Sequence, residues 1–167
     1  MASTNEVTWA GLAISFQRCG RAAWAPDALL RSWAPAPGLL RDDGSCAVAC
    51  CDDEVVWLGL TAVERPVSVR LVTRGGRWAA QLEVPPDWQC GSLQQNGHAR
   101  PIARRAGCGS AILLLEASSN GRTERLTLTL LSPPRWRAVI GPLRIGKAAA
   151  PPPVEHYSRI ARLGEEE

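Results

Sequence analysis

The sequence predicts a mainly β protein: an antiparallel β-sandwich, jelly-roll-like, of about eight strands. Three observations carry that expectation. Asn120-Gly121 separates two long runs, Ala111–Ala117 and Thr123–Leu131, and a two-residue type I′ turn favours Asn-Gly because both central residues need positive φ. Val67–Thr73 and Arg77–Val84 form a second such pair about Gly75-Gly76. The runs 46–51 and 55–63 are apolar almost throughout and are bounded by turn residues, as buried strands are.

The hairpin at 111–131 fixes its own register. Turning at Asn120-Gly121 sets Leu115 opposite Leu126, Leu113 opposite Leu128 and Ala111 opposite Leu130. The other face then pairs Glu116 with Arg125, Leu114 with Thr127 and Ile112 with Thr129. One face is apolar and the other mixed, with an opposite-charge pair across the strands. In the 67–84 hairpin Val67, Val69, Leu71 and Thr73 oppose Val84, Leu82, Ala80 and Trp78. Ser68, Arg70, Gln81 and Glu83 collect on the far face. Burial is expected for Leu113, Leu115, Leu126, Leu128, Val69 and Leu82.

Taken in order, residues 7–16 alternate Thr8, Ala10, Leu12, Ile14 and Phe16 on one face, which suits a strand, with a short helix as the alternative. Pro26-Asp27 opens a short helical turn near 27–33, since both residues favour a helix start. Pro35, Pro37 and Gly38 stop it, and a loop follows to Asp42-Asp43-Gly44. The strands 46–51 and 55–63 flank the acidic turn Asp52-Asp53-Glu54. Each later hairpin ends in Pro-Pro-x-Trp: Pro85-Pro86-Asp87-Trp88, and 48 residues on Pro133-Pro134-Arg135-Trp136. The pattern suggests a repeat or two equivalent corners, at which proline ends the ladder and tryptophan covers the core edge. A further strand is expected after the second Pro-Pro. Residues 87–110 have no clear period and read as a long loop, a frequent place for function.

The domain plan is a β-sandwich at 1–147, a Pro-rich linker at 148–153 and an amphipathic tail at 154–167. AAAPPP is a stiff, extended spacer. In the tail Val154, Tyr157 and Ile160 share one face at helical spacing, which predicts a short C-terminal helix docked on this chain or on a neighbour.

Bulk composition is that of an ordinary globular domain, with 46% apolar and 21% charged residues in 167. Charge is uneven. Residues 1–64 carry 4 Arg against 8 Asp and Glu, whereas residues 98–147 carry 9 Arg and Lys against 2 Glu. The basic half suits an anionic partner or the acidic part of a second copy. No leader and no apolar run long enough for a membrane is visible, so a soluble, intracellular protein without membrane contact is expected, its six cysteines reduced.

Three functional readings follow. The first is a non-catalytic binding or assembly module for a protein partner, a second copy of the chain or a glycan. Its binding candidates are Arg100, Arg104, Arg105, Arg122, Trp88 and Trp136, with Val154, Tyr157 and Ile160 as the interaction tail. The second is a metal- or thiol-dependent enzyme at Cys90, His98 and Cys108, since thiolates and imidazole suit zinc. No CxxC or HxxxH spacing supports it, so no cofactor is expected. The third is an Arg-rich nucleic-acid binder. It is disfavoured because one Phe and one Tyr provide no stacking platform. Two histidines and turn-bound carboxylates leave little acid–base chemistry, which favours the first reading.

Overall fold

The structure, a computed structural model, describes residues 6–26 and 29–146. Those residues are mainly β, in two sheets, with one short α-helix. Thirteen strands are present among them, against the eight expected. The surplus arises where turns were read as strand interior or strands as loop.

The first strand-like run is two strands. Glu6–Trp9 (β1) and Leu12–Gly20 (β2) form a hairpin about Ala10-Gly11, whose φ values of 49° and 76° make the tight turn. Leu12, Ile14 and Phe16 point inward and are fully buried, while Thr8 is exposed. A 3₁₀ turn at Arg21–Ala23 follows. The helical turn expected near 27–33 is absent from residues 29–33, which run without regular structure into Ala34–Pro35 (β3). Their hydrogen bonds go to distant partners instead, as described below. Gly38–Leu40 (β4) precedes Cys46–Ala49 (β5), and Glu54–Ala62 (β6) follows the acidic turn. Strands β5 and β6 do not pair with each other: the turn carries the chain from one sheet to the other.

Both hairpins lie in the predicted register. Val67–Thr73 (β7) pairs with Ala79–Val84 (β8), setting Val69 against Leu82 and Leu71 against Ala80. The stretch 87–110 is largely strand: Gln89–Cys90 (β9), Ser92–Gln95 (β10) and His98–Pro101 (β11), the last two joined by an Asn96-Gly97 turn. Ser110–Ser119 (β12) pairs with Arg122–Leu131 (β13) in the expected register from Ala111–Leu130 to Glu116–Arg125. The cross-strand charge pair forms, with Arg125 Nε 3.6 Å and Arg70 Nη1 3.9 Å from the Glu116 carboxylate.

One sheet runs β1-β2-β6-β9, with β3 joined to β2; the other runs β11-β10-β8-β7-β12-β13-β5-β4. All pairs are antiparallel except β13–β5. Inward side chains of both sheets meet in one cluster that includes Phe16, Leu58, Leu71, Leu115 and Leu128. All six residues expected to be buried are buried, Leu82 the least so. On β2 and β6 the inward row ends in a buried ion pair: Arg18 Nη1 lies 2.9 Å from Glu54 Oε1. Arg18 also donates to the carbonyl oxygens of Pro35 and Gly146, so few of its donors go unused.

Two smaller clusters cover the outer faces. Trp24, Leu30 and Trp33, from the segment after the 3₁₀ turn, lie over Cys19, Val55 and Trp57 of the first sheet. The helix Pro133–Val139 (α1) lies over Ala47, Ala49 and Leu131 of the second, through Trp136. A strand was expected after the second Pro-Pro. A helix forms because Ser132 caps it, accepting a hydrogen bond from the Arg135 N–H, with proline in the first turn. The tail residues Val154, Tyr157 and Ile160, and the helix expected there, lie outside the described residues.

Candidate functional site

A cleft lies where the chain changes sheets. β9 belongs to the first sheet and β10 to the second, with Gly91 alone between them. A side chain at 91 would meet the tip of Leu30, which would have to shift to admit it. Around Gly91 the cleft opens to about 730 Å³. Its walls are Pro86, Asp87 and Trp88 on one side and Pro26, Leu29 and Leu30 on the other. Ala79–Leu82 and Gln94 complete the surround.

On that second side Trp24, Pro26 and Leu30 are tied down by hydrogen bonds to distant residues. The Gln89 amide brackets Leu30, accepting from its N–H at 3.0 Å and donating to its carbonyl at 2.7 Å. Trp24 Nε1 donates to Gly91 O at 3.0 Å, and Ser92 Oγ to Pro26 O at 3.1 Å. The Leu30 N–H and carbonyl and the Pro26 carbonyl are thus satisfied by distant side chains rather than by a helical turn. Leu29 is left 70% exposed at the rim.

The facing wall carries Trp88, 50% exposed. Its ring meets Trp57 edge to face, centroids 6.4 Å apart, and the Trp88 carbonyl accepts from the Leu60 N–H at 2.8 Å. The indole is therefore held, with part of its surface open.

Strand β8 supplies an unpaired edge. Thr73 N–H donates to Trp78 O at 2.9 Å, so even-numbered residues bond to β7 and odd-numbered ones turn away from it. Of these, Ala79 pairs with Gln94 of β10. Glu83 is closed off by Asp87, whose carboxylate accepts from the Glu83 N–H at 2.9 Å and whose own N–H donates to Glu83 O at 2.8 Å. Between them Gln81 has no ladder partner on the cleft side among the described residues. The side-chain amides of Gln81 and Gln94 make no hydrogen bond there either.

The sequence candidates scatter around this cleft. Trp88 forms its wall, but Trp136 is 1% exposed under α1. Arg104 is 3% exposed and spent internally, with Nε on Cys50 O at 2.8 Å, Nη2 on Asp52 at 2.6 Å and Nη1 on Cys108 O. Arg100 stacks over Trp78 at 4.6 Å. Partial burial and then the neighbouring Arg105 hold its guanidinium below the usual value. Arg105 is exposed, and so is Arg122 beside the β12–β13 turn.

Cys90, His98 and Cys108 are not brought together. Cys90 is buried in β9, His98 is exposed on the outermost strand of the other sheet, and Cys108 is exposed in the loop before β12. No group of three potential metal ligands occurs among the described residues. Burial pushes the Cys90 thiol up to about 12, and Cys46 to about 11. Burial, then the Glu54 carboxylate, lifts Cys19 and Cys51 to about 11. All six cysteines are unpaired, and these four are thiols rather than thiolates at neutral pH. No helix among the described residues is long and apolar enough to cross a membrane.

Sequence reasoning singled out Trp88 but missed the rest of the cleft. Asn96-Gly97 was the available signal: read as a hairpin turn it defines β10 and β11, and with them the cleft's second side. Nothing in the sequence signals the Gln89–Leu30 bracket, which joins residues 59 apart. Comparison with protein-family models, with curated proteins and with solved structures gave no match.

Proposed function

We propose that the protein is a non-catalytic binding module and that the cleft at Trp88 is its contact surface. The observation that carries this reading is a half-exposed tryptophan, braced by a second one, facing unbonded amides across a cavity large enough for a small ligand. Catalysis finds less support. The buried thiols are protonated, and Asp87, the one carboxylate among the described residues lining the cleft, is bonded to the backbone. The finer fold reading, a sandwich of jelly-roll type, draws support from the single core shared by both sheets and from a chain that alternates between them.

Parallel screens of an immobilised glycan set and a peptide library, with wild type and Trp88→Ala, test the function. Binding to one class, weakened at least about tenfold by the substitution, is the expected result. Binding that Trp88→Ala leaves intact would refute it.

A second reading, assembly with a protein partner or another copy, is favoured by one observation. The outer face of the second sheet carries Ile112 and Leu114 beside Val72 in a shallow hollow, with Ile112 exposed. Solution mass of wild type and Ile112→Arg tests it: a dimer that the substitution turns into monomer supports assembly, and a wild-type monomer argues against it.

A further inference from the structure

We infer that the ligand of the Trp88 cleft is an uncharged sugar, a neutral oligosaccharide that lays one ring against the indole. The inference rests on the binding reading above and narrows it to a ligand class.

Four features point to that chemistry. Among the described residues that line the cleft there is no Arg, Lys or His, although the chain has 19 Lys and Arg. A sulfated, phosphorylated or carboxylated ligand would find no counter-charge there and would meet the Asp87 carboxylate. Half of Trp88 is exposed, and an indole face is flat and apolar, a match for the row of C–H groups on one side of a pyranose ring.

The polar groups are of mixed sense. Gln81 and Gln94 each offer an amide donor and an amide acceptor, and the Gln81 backbone offers one more of each. Sugar hydroxyls both donate and accept, so they can satisfy such pairs; a purely apolar ligand would leave them unpaired.

The length of the open edge separates a sugar from a peptide. A peptide adding to β8 would need successive outward-facing residues. One end of β8 is taken by Gln94 at Ala79 and the other by Asp87 at Glu83, which leaves the single register position Gln81. A run of one residue cannot hold an added strand, but it suits a compact ring.

The experiment is titration of the intact chain, followed by isothermal calorimetry and by indole N–H NMR signals. The probes are neutral linear trisaccharides of glucose, galactose, mannose and N-acetylglucosamine, a sulfated heparin-derived tetrasaccharide, and a Trp88-binding peptide if the library screen yields one. At least one neutral trisaccharide should bind, with a dissociation constant on the order of 0.1–1 mM for so open a site. Trp88→Ala should weaken it at least about tenfold, Gln81→Ala and Gln94→Ala by several-fold each, and Trp88→Phe should retain most of it. Thermal melting checks that each variant is folded. Trp88-dependent binding of a peptide or of the sulfated probe, with no neutral sugar bound, overturns the sugar inference and leaves the binding-module reading intact. Absence of any Trp88-dependent ligand overturns both.

Discussion

Pro85-Pro86-Asp87-Trp88 and Pro133-Pro134-Arg135-Trp136 share a sequence pattern and follow equivalent hairpins, yet they do opposite things. The second starts a helix and drives its tryptophan to 1% exposure; the first makes an irregular corner and leaves its tryptophan half exposed. The number of prolines does not separate them, since both corners have two, but Val84-Pro85 and Pro85-Pro86 are cis and the bonds before Pro133 and Pro134 are not. The neighbours differ as well. Ser132 precedes the second pair and caps the helix from its N-terminal end, whereas apolar Val84 precedes the first. Asp87, in the third position of the first corner, folds back on Glu83 and caps a strand edge instead. Arg135, in the same position of the second, points into the helical turn with its N–H on Ser132. Different residues beside a proline pair thus accompany one tryptophan that is buried and one that is left half exposed.

The comparison can be broken at several points. Trp136→Ala should cost about 3–5 kcal/mol in denaturant unfolding, because it empties the cluster under α1. Trp136→Phe should cost much less, since Trp136 Nε1 has no hydrogen-bond partner among the described residues to lose. Equal costs for the two would show that the indole N–H, not its volume, matters.

Alkali should act on the side of the first corner. The Cys90 thiol, two residues beyond Trp88, is raised by burial from 9.0 to about 12. A raised folded-state value stabilises fully below pH 9, and the contribution is lost as pH climbs toward 12, with a slope of at most about 1.4 kcal/mol per pH unit for one group. Stability measured between pH 9 and 11 should therefore fall, and fall less steeply in Cys90→Ala. Identical slopes would mean that the thiol titrates normally.

Ser132→Ala should cost about 1 kcal/mol by loss of the cap. Asp87→Ala should cost about 0.5–1.5 kcal/mol, because the Glu83 N–H it bonds is exposed to water once released. A larger loss for Asp87 than for Trp136 would invert the assignment of the two corners. Trp88→Ala should cost about 0.5–1.5 kcal/mol through loss of the edge contact with Trp57, well below Trp136→Ala.

What the sequence revealed divides along the same line. Both hairpins could be read with their partners, because alternation fixes a face and Asn-Gly or Gly-Gly fixes the turn. Trp88 was marked as a candidate, but so was Trp136, since the pattern around each is alike and burial depends on what packs above it. The Arg104 guanidinium read as a binding candidate, yet Cys50, Asp52 and Cys108 consume it. Those partners are set by loop geometry, not by spacing. The helix expected at 27–33 does not form over 29–33 for a related reason: its start signals are local, and the Gln89 and Ser92 side chains that bond Leu30 and Pro26 come from 59 and 66 residues away.

The most direct test is the set of seven tryptophan indole N–H signals of the intact chain, followed as a neutral trisaccharide is added. The account predicts that the Trp88 signal moves, that Trp57, in edge contact with it, follows by a smaller amount, and that Trp136 stays in place. Movement at Trp136 with Trp88 unchanged would contradict it.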